Sequence, residues 1–442
     1  MKTDRSNTSR GGVLAAPVVY LSGMLQGLTL VSFPASSAML KSMQGFSDAQ
    51  YGAIFLPQVA LAVVGALAGG SLATRWGLKT LLWLGLVINA LSQVLLAATA
   101  GLSPPVAYAA LLAGTGSMGL GFGLAGAPLN GLPPLLFPNK RDSALVALHT
   151  LLGLGLALGP WIASSFVMAG HWVGFPLLLA GFAAFLAAAA GLARFPSSEP
   201  AEPTQAEPAP IADPMPLPAF RGGVDGHPVR LAGFWLFALA CVLYAFAEGT
   251  FSNWAVLYLQ DIKHLPETVA AGALSVFWAA MVGGRLLAAV LVLRLAPERI
   301  WLVLPLLMIM AFLLLPYADT PVLGIGLFAF AGLACSAFFP LSIGLASRRF
   351  ERHVPWVSSA LIAALMVGVG LGSYLIGLLQ EALPLGRLYQ LSALYPTTVL
   401  VLAWLLVRES SRAREPRNST RSGSQSASPG LTTITRTEES NP

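Results

Sequence analysis

Apolar residues in this chain come in long blocks and not in alternation. From Leu231 to Tyr244, for example, every residue is apolar or glycine. Crossing about 30 Å of hydrocarbon as a helix takes about 20 such residues. Blocks of that kind lie near 13–36, 51–70, 80–101, 105–135, 143–168 and 174–194. A second set lies near 231–259, 268–293, 300–316, 321–345, 356–380 and 388–407. In lipid the backbone must satisfy its own polar groups, so blocks this long are read as helices. The pattern predicts an all-α membrane protein with twelve transmembrane helices in two sets of six.

Between the sets the character changes. Residues 195–230 hold nine prolines, five acids and two arginines, with no long apolar run. Such a stretch is a solvated linker with no room for a soluble catalytic domain. The expected organisation is an N-tail over 1–12, a six-helix bundle over 13–194, the Pro-rich linker over 195–230, a second bundle over 231–408 and a tail over 409–442. That tail is polar and Ser/Thr-rich and is expected to be disordered. The first block is too long for a signal-peptide core and further spans follow at once, so it is expected to be retained.

Composition agrees. Hydrophobic residues make up 56% and charged residues 10%, with a mean hydropathy of +0.72. A soluble domain carries roughly a quarter charged residues. Cys241 and Cys335 both sit in apolar runs and read as small buried hydrophobes, with no disulfide or metal role. With the N-terminus inside, 21 lysines and arginines fall in inner segments, three (Lys41, Lys263, Arg387) in outer ones and Arg285 within a span. That asymmetry is expected to place both tails and the linker in the cytoplasm of a multi-pass protein of the inner (plasma) membrane. The net charge of +6 is then a topology signal and implies no nucleic-acid partner. The sequons at Asn7 and Asn418 fall in those inner tails, where glycosylation is not expected.

The halves also echo each other. GGSLATRWGLKTLL (69–82) joins spans 2 and 3, and AAVLVLRLAPERIW (288–301) joins spans 8 and 9, so that an offset of 219 residues superposes Arg294 on Arg75. Parallel repeats of two six-helix bundles, with the solute site between them near the midplane, are one plan of secondary transporters. GSLATRWGLK resembles the short-loop signature of the major facilitator superfamily through Gly70, Leu72, Ala73, Arg75, Gly77 and Lys79. Thr74 replaces its usual Asp, which in that family caps and pairs across the cytoplasmic gate, and Leu78 replaces an Arg. A narrower resemblance, to the fucose:proton symporter-like branch, is carried by Asn130, His149, Gly153, Gly155, Gly159 and Pro160, by EGTFSNW (248–254) and by GGRLLA (283–288). The superfamily resemblance covers about 13–408. It implies a major facilitator fold, with Gly70, Arg75, Gly77 and Lys79 in a gating or structural role. Acids that symporters of that branch can carry on spans 1 and 4 are missing here.

One acid lies deep within a span. Glu248 is about 27 Å from Arg230 and about 20 Å from Asp261 along the helix, hence near mid-membrane. An ionised carboxyl there costs several kcal/mol unless paired, hydrated or protonated. Tyr244 and Ser252, four residues to either side, share its face, and Gly249 allows the backbone to loosen beside it. Two readings compete: Glu248 binds solute and takes up a proton, or it is permanently satisfied by neighbours. The functional one is favoured, because intramembrane acids are functional by default. Arg285 lies about 13 Å inside Arg294, about 10 Å off Glu248 in depth. It is expected to bond backbone carbonyls near the inner gate and not to pair with Glu248. Asn130 and His149 match in depth on consecutive helices and are expected to hydrogen-bond; His149 as a proton relay is the other reading. Gln26, Gln58, Tyr244, Asn253 and Trp254 offer the amide, hydroxyl and aromatic groups that a sugar-like solute needs. Gly155/Gly159 and Gly368/Gly372 have the spacing of close helix contacts.

Motifs for ATP, for metal and for a serine nucleophile are absent, so no cofactor, metal or enzymatic activity is expected. The expectation is a secondary active transporter, acting as a monomer on a small organic solute by alternating access, with protons as coupling ion and lipid as its surroundings. A proton-driven drug or metabolite efflux antiporter is the alternative. A non-transporting membrane scaffold or sensor is a third reading.

Overall fold

The computed structural model describes residues 5–196 and 228–412 and is helical throughout. Residues 1–4, most of the linker and the tail beyond Arg412 lie outside what is described, and with them Asn418 and the side chain of Asn7 from the two sequons. Eleven helices are long and apolar enough to cross a membrane, and a twelfth carries the shorter apolar stretch Leu14–Leu30. We label them α1 (Arg5–Leu30), α2 (Asp48–Trp76), α3 (Leu78–Gly101), α4 (Pro104–Leu136), α5 (Arg141–Met168) and α6 (Gly174–Leu192). The second half holds α7 (Ala232–Asn253), α8 (Glu267–Leu291), α9 (Pro297–Tyr317), α10 (Pro321–Arg349), α11 (Val354–Leu379) and α12 (Leu385–Glu409). Twelve antiparallel crossings bring the start of α1 and the end of α12 to the same side, called here the terminal face.

The two halves pack by one scheme. In the first, α1 packs on α5 and α6, α2 on α4, and α3 on α4 and α6; in the second, α7 packs on α11 and α12, α8 on α10, and α9 on α10 and α12. The same pairs are built in the same way, from glycines that admit a neighbouring backbone. A Cβ on Gly155 would stand 2.1 Å from the Met24 carbonyl oxygen, joining α5 to α1, and one on Gly368 would stand 2.5 Å from that of Val242, joining α11 to α7. One on Gly119 would stand 1.8 Å from the Gln58 carbonyl oxygen and one on Gly332 2.1 Å from that of Phe277. Phe277 follows Gln58 by the same 219 residues that align the two loops. Lipid offers no hydrophobic drive for helices to associate, so such close van der Waals approach is what holds the bundles together.

Local chemistry sets the ends. Proline opens α4, α9 and α10, where its missing N–H has no helical partner to lose. A capping box between Ser47 and Gln50 opens α2. Between α2 and α3 the chain reverses at Gly77 with φ +82°, a left-handed value that favours glycine. Lys79 donates to the carbonyls of Gly191 and Ala193 at 2.8 Å each, closing the C-terminal end of α6.

The sequence reading placed the backbone break of α7 beside Gly249. The helix instead continues through Gly249 and breaks at Trp254, after which a short π-helical turn, Tyr258–Ile262, completes the crossing. Gly249 packs toward α11, where a Cβ would touch the Val369 carbonyl oxygen at 3.4 Å. A second break, at Ser336 in α10, exposes a carbonyl that the site uses.

Gly155→Val tests the packing scheme. It is expected to destabilise the purified protein by about 3 kcal/mol or more, since overpacking against backbone cannot relax as a side chain can. Gly181→Ala, at an open position, should leave the detergent melting temperature unchanged.

Candidate functional site

Between the two halves lies a cavity of about 190 Å³, walled by α1, α2, α4 and α5 on one side and α7, α8 and α11 on the other. A second cavity of about 310 Å³ shares Ala62, Phe122 and Met366 with it and continues between α2, α4 and α11 past Asn130 and Ser359. Those residues lie toward the terminal face, so the two spaces form one path from the centre to that side.

The opposite face is closed. There the Tyr51 hydroxyl donates to the Asn253 carbonyl oxygen at 2.9 Å, and the Tyr51 ring meets Trp254 edge-on at 5.0 Å. A Cβ on Gly52 would stand 2.6 Å from the Ser373 carbonyl oxygen, and one on Gly377 2.3 Å from that of Asp48. Lys41 binds Asp48 of its own half and reaches Asp261 of the other at 3.8 Å. The apolar core of the second half continues across this seam into Phe33, Tyr51 and Phe55. Lys41 and Tyr51 were legible only as an outer cation and a helix start; nothing in the one-dimensional pattern brings them to Asp261 and Asn253.

Glu248 is partly exposed, and the space that it lines is this cavity. Its helix places Ser252 one turn on, where the hydroxyl donates to the Glu248 backbone carbonyl at 2.9 Å. Tyr244, one turn back, is fully buried and stacks on Phe338. Its hydroxyl donates to the Cys335 carbonyl at 2.7 Å.

Arg285 lines the same cavity. Its Nε donates to the Ser336 carbonyl oxygen at 3.1 Å, at the break in α10, and its Nη2 approaches Met281 Sδ at 3.4 Å. It takes part in none of the four ion pairs among the described residues, nor does Glu248. The expected inner-gate position is therefore incomplete: the carbonyl bond is present, and the guanidinium also reaches the wall of the central space. The His149 side chain, on α5, is near enough to interact with it electrostatically. His149 Nε2 stands 3.2 Å from Asn130 Oδ1, and Asn130 Nδ2 donates to the Gly126 carbonyl at 2.9 Å. An amide oxygen only accepts, so His149 carries its hydrogen on Nε2 in this arrangement.

Of the five residues read as solute-binding, Gln58 and Asn253 are on the cavity wall. Asn253 Nδ2 donates to Ser373 Oγ at 2.7 Å. Tyr244, Trp254 and Gln26 are packed away from it, with relative exposures of 0%, 0% and 1%; helix breaks and ring packing that the spacing does not encode turn them into the bundle. Trp278, about two turns before Arg285 on α8, is a wall residue that the spacing of the sequence does not single out. Gln58 Oε1 and Trp278 Nε1 are buried without a hydrogen-bond partner. In the short loop Arg75 and Thr74 are exposed, and the Thr74 hydroxyl is turned back onto the Ser71 carbonyl at 2.7 Å.

A cysteine at Gly126, which lines the outer part of the path, tests which face is open. Both native cysteines are buried, so background labelling is small. Gly126→Cys should react with a membrane-impermeant maleimide from the terminal face and not from the other. Adding Gly52→Val, which props the closed seam apart, should slow that reaction several-fold.

Comparison with known proteins supplies the family. Residues 15–327 match the Major Facilitator Superfamily. Among curated proteins the chain is 29% identical over 187 residues to the uncharacterized transporter y4wD of Sinorhizobium fredii, covering 42% of this chain and 49% of that one. It is 28% identical over 155 residues to the glucose/mannose transporter GlcP of Bacillus subtilis, covering 35% and 37%. The matches thus span less than half of either relative. Among solved structures, the nucleoside transporter NupG superposes with a TM-score of 0.68 at 15% identity, over 90% of this chain and 99% of that one. The Escherichia coli fucose:proton symporter FucP superposes with a TM-score of 0.53 at 15% identity, over 89% and 98%. These likenesses establish the fold, and with the matched residues they show that this chain belongs to the Major Facilitator Superfamily of membrane transporters.

Proposed function

We propose that the chain is a secondary active transporter of the cytoplasmic membrane that moves a small sugar-like solute in symport with protons. The observation that carries this reading is a lone membrane-embedded carboxyl, Glu248, on the wall of a cavity that is sealed on one face and open to the other. Alternating access exchanges the open and sealed faces around such a site. The excess of lysine and arginine on the terminal side favours the cytoplasm there, so the arrangement described is the inward-open one.

Solute chemistry is constrained by unpaired groups. Gln58 Oε1 as acceptor and Trp278 Nε1 as donor offer what hydroxyl groups need, and an indole face beside them suits a sugar ring. The glucose/mannose and fucose transporters among the similar proteins agree with that class. Glu248 in the proposal is the proton carrier, and Gln58, Asn253 and Trp278 are the solute contacts. Gly70, Arg75, Gly77 and Lys79 serve the cytoplasmic end of α2 and α3, and Asn130 with His149 lines the exit.

Purified protein in proteoliposomes should alkalinise the external medium when a transported solute is added outside. Proton release on adding a drug to preloaded vesicles would instead support the antiporter, and no flux of any solute the scaffold. Glu248→Gln should abolish accumulation against a gradient while expression is preserved; unchanged accumulation removes the coupling role.

A further inference from the structure

The cavity contains two ionisable side chains of opposite sign that do not pair. Arginine stays charged under all physiological conditions. Here its guanidinium is held on one edge by neutral acceptors, the Ser336 carbonyl and the Met281 thioether, and Nη1 has no hydrogen bond among the described residues. Among the described residues no acid other than Glu248 lines this cavity. Around Glu248 the titratable and charged groups are Tyr244 on its own helix, Cys335 of α10 and Arg285 of α8, with His149 of α5 beyond Arg285. While the path to the terminal face is open, water solvates the guanidinium. Sealing the cavity for transport removes that water, and a charge so stranded is expensive.

Resting on the symport reading above, we propose that the solute is a small hydroxylated monocarboxylate, a sugar acid or hydroxy acid, whose carboxylate pairs with Arg285 while Glu248 carries the coupled proton. Arg285 presents a rigid donor fork suited to a carboxylate, already aimed by its bonds at the α10 break. Gln58 and Trp278 take the hydroxyls. With solute and proton both bound, the guanidinium and the solute carboxylate cancel, and Glu248 is neutral. With both released, ionised Glu248 and Arg285 balance each other within the one cavity. An ionised Glu248 and a bound carboxylate repel, so the anion enters favourably only together with the proton. This makes proton coupling a consequence of charge balance, and it makes the loaded cycle electroneutral, one proton per monocarboxylate.

The test uses the full chain in proteoliposomes with an inward proton gradient. D-Gluconate, D-glucuronate and DL-lactate are compared with D-glucose and D-xylose, each with and without an inside-negative potassium diffusion potential. The proposal expects uptake of at least one of the acids, accompanied by protons, at a rate unaffected by the potential. Proton-coupled uptake of the neutral sugars alone, accelerated by the potential, overturns the carboxylate assignment and leaves symport standing. Acid uptake that is slowed by the potential, without proton movement, overturns the charge balance. The absence of proton-coupled flux for every probe overturns the symport reading and this inference with it. Arg285→Gln should lower acid uptake by at least about tenfold, with Arg285→Lys recovering part of it. Should either variant fail to fold, the potential dependence of the unaltered protein decides by itself.

Discussion

Everything distinctive about this molecule follows from the cost of holding charge within a bilayer. Eleven long apolar helices and a twelfth shorter one satisfy the membrane without any ionisable group, yet the chain keeps Glu248 and Arg285 in its interior. Each is tolerated because it reaches a shared cavity and not lipid. The Tyr244 O–H is spent on the Cys335 carbonyl at 2.7 Å, and the Ser336 carbonyl freed by the break in α10 receives Arg285 at 3.1 Å. Irregular backbone at membrane depth is admissible where it is buried in protein or lines a cavity. The breaks at Trp254 and Ser336 are such places.

Around that centre, motion and rigidity are divided. Within each half, glycines bring α1 to α5, α2 to α4, α7 to α11 and α8 to α10 at distances that allow no side chain, so each bundle is a solid body. Between the halves α5 packs on α8 and α2 on α11, and the face away from the chain ends adds Tyr51, Gly52, Gly377 and the Lys41–Asp261 pair. Two rigid bodies that meet along such helix pairs can exchange which face is sealed without repacking either core. The polar groups of the seam are paired across it, and separation would return them to water at little net cost.

How much of this was legible in the sequence depends on distance along the chain. Helix number, the pseudo-repeat and the mid-span position of Glu248 are properties of local runs and of a fixed offset, and these survive in one dimension. Gly77 announces its turn because only its neighbours matter. Residue roles at the cavity were less legible. Tyr244 and Trp254 have the right chemistry for a solute, but ring packing on Phe338 and Tyr51 turns both away. Trp278 looked like one more apolar residue in an apolar span, although its indole nitrogen is left without a partner at the cavity wall. The depth count that separated Arg285 from Glu248 treated the helices as straight rods normal to the membrane. Both side chains nevertheless line the one cavity.

The central claim is that the Glu248 carboxyl changes its protonation as solute comes and goes. Infrared difference spectroscopy on the reconstituted protein observes that event directly, through the carbonyl stretch of a protonated carboxyl. Adding transported solute should produce a carboxyl band that is absent from the Glu248→Gln protein. A band indifferent to solute, or one that persists in that variant, would contradict the account.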